Sequence, residues 1–239
     1  MPLALPVEPV GAARFAFTTR EGGVSRPPYD SLDLATHVGD DPAVVAENRR
    51  RVVEAAGVDA LVVATQVHGS DVVEVHGPWA AAPPEADALV TTVPRLALGV
   101  LVADCTPVLL AAPEEGVVGV AHAGRKGMAA GVVPRLVEAV RDLGGRSLVA
   151  RLGPSVCGRC YEVPAALRDE VAAAVPVAAS VTWHGTPSLD VAAGVLEQLA
   201  PHCRSAEQRP GCTVERADLY SYRRDRTTGR SAGLAWLAA

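Results

Sequence analysis

Lysine is nearly missing from this chain. Lys126 is the only one, so the 22 basic residues among 239 are otherwise all arginine. Basic side chains are also outnumbered, and 27 Asp and Glu leave a net charge of −5. A general nucleic-acid surface needs a basic stripe, which this balance argues against. No run approaches the roughly 20 apolar residues that cross a bilayer. The start, MPLALPVEPV, has no basic leader and its apolar part is broken by prolines, so no secretory signal is expected. Five cysteines are an odd number in a chain long enough to bury a core without staples. This predicts reduced thiols in a cytoplasmic setting, serving as ligands, nucleophiles or core residues. The six histidines form no His-X-His pair, and neither HExxH nor a doubled CxxC occurs.

What is present is concentrated between Ala97 and Gly127. Apolar runs at Leu98–Ala103 and Val108–Ala112 flank Asp104-Cys105, and Val117–Ala121 ends in His122-Ala-Gly. Runs this short and Val-rich, bounded by Pro and Gly, read as buried strands. A carboxylate, a thiol and an imidazole therefore each fall where a buried strand stops, a place from which a rigid scaffold presents reactive groups.

Further strands are expected at Arg14–Thr18, Leu61–Thr65, Val72–Val75, Ala88–Thr92, Leu148–Leu152 and Ala232–Leu237. Asp41 as N-cap, Pro42 at the first helical position and Gly57 as stop predict a helix ending near Ala56. Helices are also expected at Gly127–Leu143 (with a disturbance at Pro134), Pro164–Ala174 and Leu189–Leu199. The long polar loop from Arg20 to Asp41 is the kind that carries function. Strands outnumber helices without alternating strictly with them, which predicts an α+β fold of mixed sheets covered by helices. No repeat or boundary divides it, so residues 1–239 read as one domain.

His68, Cys105 and His122 are three ligands suited to one metal. Two imidazoles and a thiolate suit Zn²⁺ with a fourth position open, and thiolate softness also admits copper. On spacing alone, a buried free cysteine with two hydrogen-bonded histidines is the favoured reading over a metal site. Asp104 is a candidate acid or base, or a turn-capping carboxylate. Arg20 is a candidate phosphate ligand, or a solvated arginine. Cys157 and Cys160 form a CxxC without a second pair, read as structural or lining the site. Arg223, Arg224 and Asp225 read as an ion-paired turn, His37 as lining the cleft, and His76, His184 and His202 as surface residues.

QVHG at Gln66–Gly69, DALVT at Asp87–Thr91, ADCTPVLL at Ala103–Leu110 and AHAG at Ala121–Gly124 resemble the laccase-domain proteins. That family is also called polyphenol oxidase, purine nucleoside phosphorylase or peptidoglycan editing factor. GGVS, SLDLATHVGDD, ENRR, GPSVCGRCYEV and DLYSYRRDRTTGR extend the resemblance over nearly the whole chain, in order. It implies metal ligation by His68, Cys105 and His122, usually of zinc. It also implies a compact sandwich of mixed β-sheets with helices outside, similar to bacterial toxin deamidases. One departure stands out: the family's HAGWRG reads HAGRKG here, with Arg125 for the aromatic and Lys126 for the arginine. Arg125 can stack but brings charge, and Lys126 holds an anion as a point charge.

Of the chemistries the family's names suggest, multicopper oxidation needs many paired histidines, which this chain lacks; a single copper would give weak phenol oxidation. Attack by Cys105 as a free thiolate and metal ligation by the same sulfur are rival uses. Zinc-assisted nucleoside chemistry fits the residues better. The resemblance implies phosphorolysis of adenosine, inosine and S-methyl-5′-thioadenosine, with adenosine deamination as a side activity; phosphorolysis needs phosphate held by cations, for which Arg20, Arg125 and Lys126 are the candidates. A peptidoglycan-precursor editing hydrolase and a non-catalytic zinc-stabilised partner protein stay open beside it. The expected partners are purine nucleoside and phosphate, with no nucleic acid or membrane, for a monomer or homodimer.

Overall fold

The computed structural model describes residues 3–239. It opens with the antiparallel pair β1 (Val7–Val10) and β2 (Ala13–Phe17). Helix α1 (Pro42–Ala56) begins where Asp41 accepts the Ala43 amide at 2.8 Å and ends at Gly57, as its cap residues predict. Gly57 has a φ of 65°, which a residue without Cβ adopts readily. Strands β3 (Ala60–Val63), β4 (Val72–Glu74), β5 (Ala88–Thr91), β6 (Leu96–Val102), β7 (Thr106–Ala112) and β8 (Val117–Ala123) follow. Every residue of β6, β7 and β8 is buried, so they read as unbroken apolar runs rather than alternating ones.

The single helix expected from Gly127 to Leu143 is two, α2 (Arg125–Ala129) and α3 (Val132–Asp142). The break falls at Gly131, with φ 85°, and not at Pro134. Pro134 is the third residue of α3, where an amide would have had no helical partner anyway. After β9 (Leu148–Leu152) come α4 (Ala165–Ala174), the hairpin β10 (Ala179–Val181) and β11 (Pro187–Leu189), and α5 (Val191–Leu199). Helix α5 starts later than expected because Leu189 ends β11 and Asp190 caps the helix by accepting the Ala193 amide at 2.9 Å. The chain closes with β12 (Cys203–Gln208), α6 (Tyr222–Asp225) and β13 (Ser231–Leu237). Strands β1, β10, β11 and β12 and helix α6 were not foreseen. They are short or lie at sheet edges, and CRSAEQ in β12 carries no apolar period.

Two mixed sheets result, ordered β1-β2-β13-β6-β3 and β12-β9-β7-β8-β5-β4. Their facing surfaces enclose Phe15, Leu98, Val100, Leu109, Val120 and Leu237. Helices α2 to α5 cover the outer face of the six-stranded sheet through Leu110, Met128, Leu136, Val140, Val195 and Leu199. On the outer face of the five-stranded sheet, α1 packs Val52 in a cluster with Leu101, Leu234 and Trp236. The fold is therefore the expected α+β sandwich, helix–sheet–sheet–helix.

Two connections carry the chain from the five-stranded sheet to the six-stranded one. One joins β3 to β4 and contains Gln66-Val-His68-Gly69; the other joins β6 to β7 and contains Asp104-Cys105. They meet at one end of the sandwich.

Candidate metal centre and cleft

At that end, β7 and β8 are paired so that Pro107 lies opposite His122 and Thr106 opposite Ala123. Cys105, immediately before β7, therefore lies beside the end of β8. His68 completes the group, with its Nε2 3.9 Å from Cys105 Sγ and its ring edge-on to His122 at a centroid distance of 4.7 Å. One donor atom from each of the three residues lies within 4.8 Å of the others. Gly124 makes the approach feasible: a Cβ there would stand 2.8 Å from His68 Cδ2 and 3.1 Å from Cys105 Sγ.

Both histidines are positioned by a residue the sequence reading had not singled out. Asp87, just before β5, has a fully buried side chain. Its Oδ1 accepts the His68 amide at 3.0 Å and His122 Nδ1 at 2.7 Å. Its Oδ2 accepts the Val67 and Gly69 amides at 3.1 and 2.7 Å. Its carbonyl oxygen takes the His122 amide at 2.7 Å. His68 has a φ of 60°, an uncommon backbone for a residue with a Cβ, and these three amide bonds hold it there. Gln66 fixes the start of the same turn by bonding both the amide and the carbonyl of Leu101, at 2.7 and 2.8 Å. With Nδ1 donating to Asp87, His122 presents Nε2 as a free ligand atom.

Burial alone would raise the Cys105 thiol, but the charge and hydrogen bonds of His122, together with His68, bring it down to about 6. Burial would lower His122, but Cys105 and Asp87 outweigh it and raise it to about 9. At neutral pH these shifts describe a thiolate–imidazolium pair, and a borderline divalent ion would displace the Nε2 proton to take both donors. The three residues fit one such ion.

The cluster opens into a cleft of about 470 Å³ that is rich in arginine. Arg125, Arg223, Arg226 and Arg230 line it, and none of the four is ion-paired with a carboxylate among the described residues. Arg223 lies over the Tyr161 ring at 4.7 Å, and Arg226 and Arg230 flank the half-exposed Tyr222 at 6.0 and 5.9 Å. His37 also lines the cleft, as expected, held below its ordinary pKa by burial and by Arg230 and Arg49.

Asp104 lines the cleft too, but its carboxylate is already committed. Oδ1 accepts the Thr213 and Ser221 hydroxyls at 2.6 and 2.7 Å, and Oδ2 accepts the Arg223 amide at 2.7 Å. This is the turn-capping geometry rather than that of a free acid or base. Arg20 lies outside the cleft: its Nε donates to the Asp30 carbonyl at 2.7 Å, its guanidinium pairs with the Asp30 carboxylate at 3.0 Å, and it sits over Tyr220. Lys126 is exposed and does not line the cleft either. Of the three expected phosphate ligands, only Arg125 reaches it. Arg224 is structural, bonding the Thr213, Arg216 and Leu219 carbonyls and pairing with Asp225, whereas its neighbour Arg223 turns into the cleft.

A two-sheet sandwich with a His/Cys/His cluster at the end where the β3–β4 and β6–β7 connections meet defines a class. The chain belongs to the family described as multi-copper polyphenol oxidoreductase laccase, which it matches over residues 14–238. It is 55% identical over 236 residues to a purine nucleoside phosphorylase of Streptomyces coelicolor, covering 95% of this chain and 97% of that one. It is 39% identical to the purine nucleoside phosphorylase YfiH of Escherichia coli, covering 96% of each. Among solved structures, a Neisseria meningitidis protein superposes with a TM-score of 0.86 at 32% identity, covering 98% of this chain and 99% of that one. YlmD from Geobacillus stearothermophilus superposes at 0.84 and 32%, covering 95% and 93%.

Proposed function

We propose that this protein is a zinc-dependent purine nucleoside phosphorylase acting on adenosine, inosine and S-methyl-5′-thioadenosine, with adenosine deamination as a side activity. The observation that carries the reading is the set of four arginines without carboxylate partners, in the same cleft as the three-donor cluster. Uncompensated guanidinium groups beside an aromatic face suit a substrate pair of one doubly charged anion and one flat base. His68, Cys105 and His122 would hold the ion, which when bound supplies a Lewis acid beside the reacting bond. A Cys/His₂ set offers none of the paired histidines of a multicopper centre, so zinc is the better match to the donors.

The remaining chemistry falls to the chain's own residues. Arg223, Arg226 and Arg230 hold hydrogen phosphate against the sugar, and Tyr222 offers its ring to the purine. Phosphate oxygen forms the new bond to C1′ as the bond from C1′ to the base nitrogen breaks, through a cationic sugar. With Asp104 engaged by three donors, no carboxyl group of the cleft serves as the acid. Hydrogen phosphate brings its own proton, which ends on the departing base, so the reaction balances to base and sugar 1-phosphate.

The test is product analysis with adenosine and phosphate. Adenine and ribose 1-phosphate from the unmutated protein, and none from Cys105→Ala, is the expected result. Inosine formed without phosphate moves the assignment to deamination. A zinc-loaded protein inert toward all three nucleosides refutes it.

A further inference from the structure

Cys157 and Cys160 lack a second pair in the sequence, but the fold supplies one. Cys212 and Glu215 lie against them, and one donor atom from each of the four residues lies within 4.8 Å of the others. We propose that Cys157, Cys160, Cys212 and Glu215 form a second metal site, for a tetrahedral thiophilic divalent ion of the zinc class, separate from the His68–Cys105–His122 cluster.

The backbone is arranged for it. Cys157-Gly-Arg-Cys160 is a tight turn in which the Cys160 amide donates to the Cys157 carbonyl at 3.0 Å. Cys212-Thr-Val-Glu215 is a matching turn, with the Glu215 amide donating to the Cys212 carbonyl at 3.1 Å. The two turns lie side by side because Ser155 bridges Cys212 and the Thr213 amide donates to the Ser155 carbonyl at 3.2 Å. Two donor pairs, each spaced by two residues on facing turns, are how four-ligand structural zinc sites are built. The Cys157 amide donates to Cys212 Sγ at 3.5 Å, and Cys160 Sγ lies 3.4 Å from Glu215 Oε1. A tetrahedron with metal–sulfur bonds of about 2.3 Å has sulfur–sulfur edges of about 3.8 Å, so the donors need to close by no more than about an ångström.

The local cations are occupied elsewhere: Arg159 lies over Trp183 and Arg216 pairs with Asp218. The position also gives the site a purpose. Val156 and Tyr161, on either side of the first turn, line the active cleft. Thr213, in the second, donates to Asp104, the carboxylate that also holds Ser221 and Arg223. An ion here ties together the two segments that form one wall of the cleft. It does no chemistry on substrate.

The probes are Zn²⁺ and Co²⁺ alone, with the full chain kept reduced. About two equivalents per chain are expected, one for each donor group. The variant His68→Ala/His122→Ala should retain one, with Co²⁺ giving an intense thiolate charge-transfer band. Cys157→Ser/Cys212→Ser should lose that equivalent. In the unmutated protein, Zn²⁺ should slow alkylation of Cys157, Cys160 and Cys212 by at least about tenfold, the protection expected of ligated thiolates. Cys203 belongs to neither cluster and serves as the internal reference. Alkylation of all three at an unchanged rate with Zn²⁺ present overturns the proposal, even where a variant fails to fold. So does a disulfide among them that, once reduced, takes up no metal. Neither outcome depends on nucleoside turnover, so this site and the phosphorylase reading stand or fall separately.

Discussion

Asp87 is where a single atom's change should be felt furthest. Asp87→Asn keeps the shape of the side chain but turns one acceptor oxygen into a donor. In one orientation the new amide group faces the Val67 and Gly69 amides; in the other it faces the His68 amide and His122 Nδ1. Either way two of four hydrogen bonds become donor against donor. A hydrogen bond to a charged group contributes about 1.5–3 kcal/mol. The loop holding Val67 and His68 is exposed, so water replaces part of that loss, and a net cost of about 2–3 kcal/mol follows. For a chain of 239 residues that is a fall in Tm of about 4–12 °C. Loss of the His122 ring bond and of the His68 backbone anchor should weaken zinc about 10- to 100-fold, the range for partners that orient metal ligands. Chelator competition and scanning calorimetry measure the two effects. A zinc affinity within about twofold of the parent, with Tm unchanged, would refute the claim that this carboxylate organises the cluster.

Three other outcomes follow from the geometry. Gly124→Ala drives a Cβ to 2.8 Å from His68 and 3.1 Å from Cys105, so zinc binding should drop by about tenfold or more, read by the same competition assay. Arg226→Ala should raise KM for phosphate about tenfold or more, the worth of one charge-assisted contact; Arg20→Ala and Lys126→Ala should leave it unchanged in steady-state kinetics. Asp33 is fully buried, with Oδ2 lacking a partner, and burial raises its pKa from 3.8 to about 6 despite bonds from the Ala35 and Arg230 amides. A folded pKa above the unfolded one means that protonation favours the fold, so the penalty is absent below about pH 4, grows to pH 6 and is complete above it. Asp33→Asn should therefore stabilise the protein by about 1–3 kcal/mol at pH 8 and add little near pH 4, as urea melts at the two pH values would show.

Much of the framework is legible in the residues themselves. Asp41, Pro42 and Gly57 mark α1 to the residue, because capping is a local property of a few neighbours. The buried runs that became β6, β7 and β8 are equally plain. Strand β12 was invisible because an edge strand needs a neighbour rather than an apolar face, and its neighbour β9 lies about fifty residues earlier in the chain. The candidate ligands His68, Cys105 and His122 were named from motifs, and the fold does bring them together. Asp87 was passed over because a carboxylate beside an apolar run looks like a strand end; its four donors come from positions 18 to 35 residues away. Arg20 and Lys126 misled for the converse reason, since a basic residue near a motif in sequence need not face the same space. The arginines that do face it, Arg223, Arg226 and Arg230, arrive with a C-terminal segment that Asp104 fastens in place.

Because both connections that run from the five-stranded sheet to the six-stranded one pass through the His68–Cys105–His122 end, an ion gripped there would act as a rivet between the two sheets. His68 belongs to one crossing and Cys105 to the other, so the layers cannot part at that rim without letting the ion go. Saturation at a thousandfold excess over Kd would then contribute about 4 kcal/mol to the native state as a unit. Slowed amide exchange should therefore reach inward along both sheets, well past the three side chains that touch the ion.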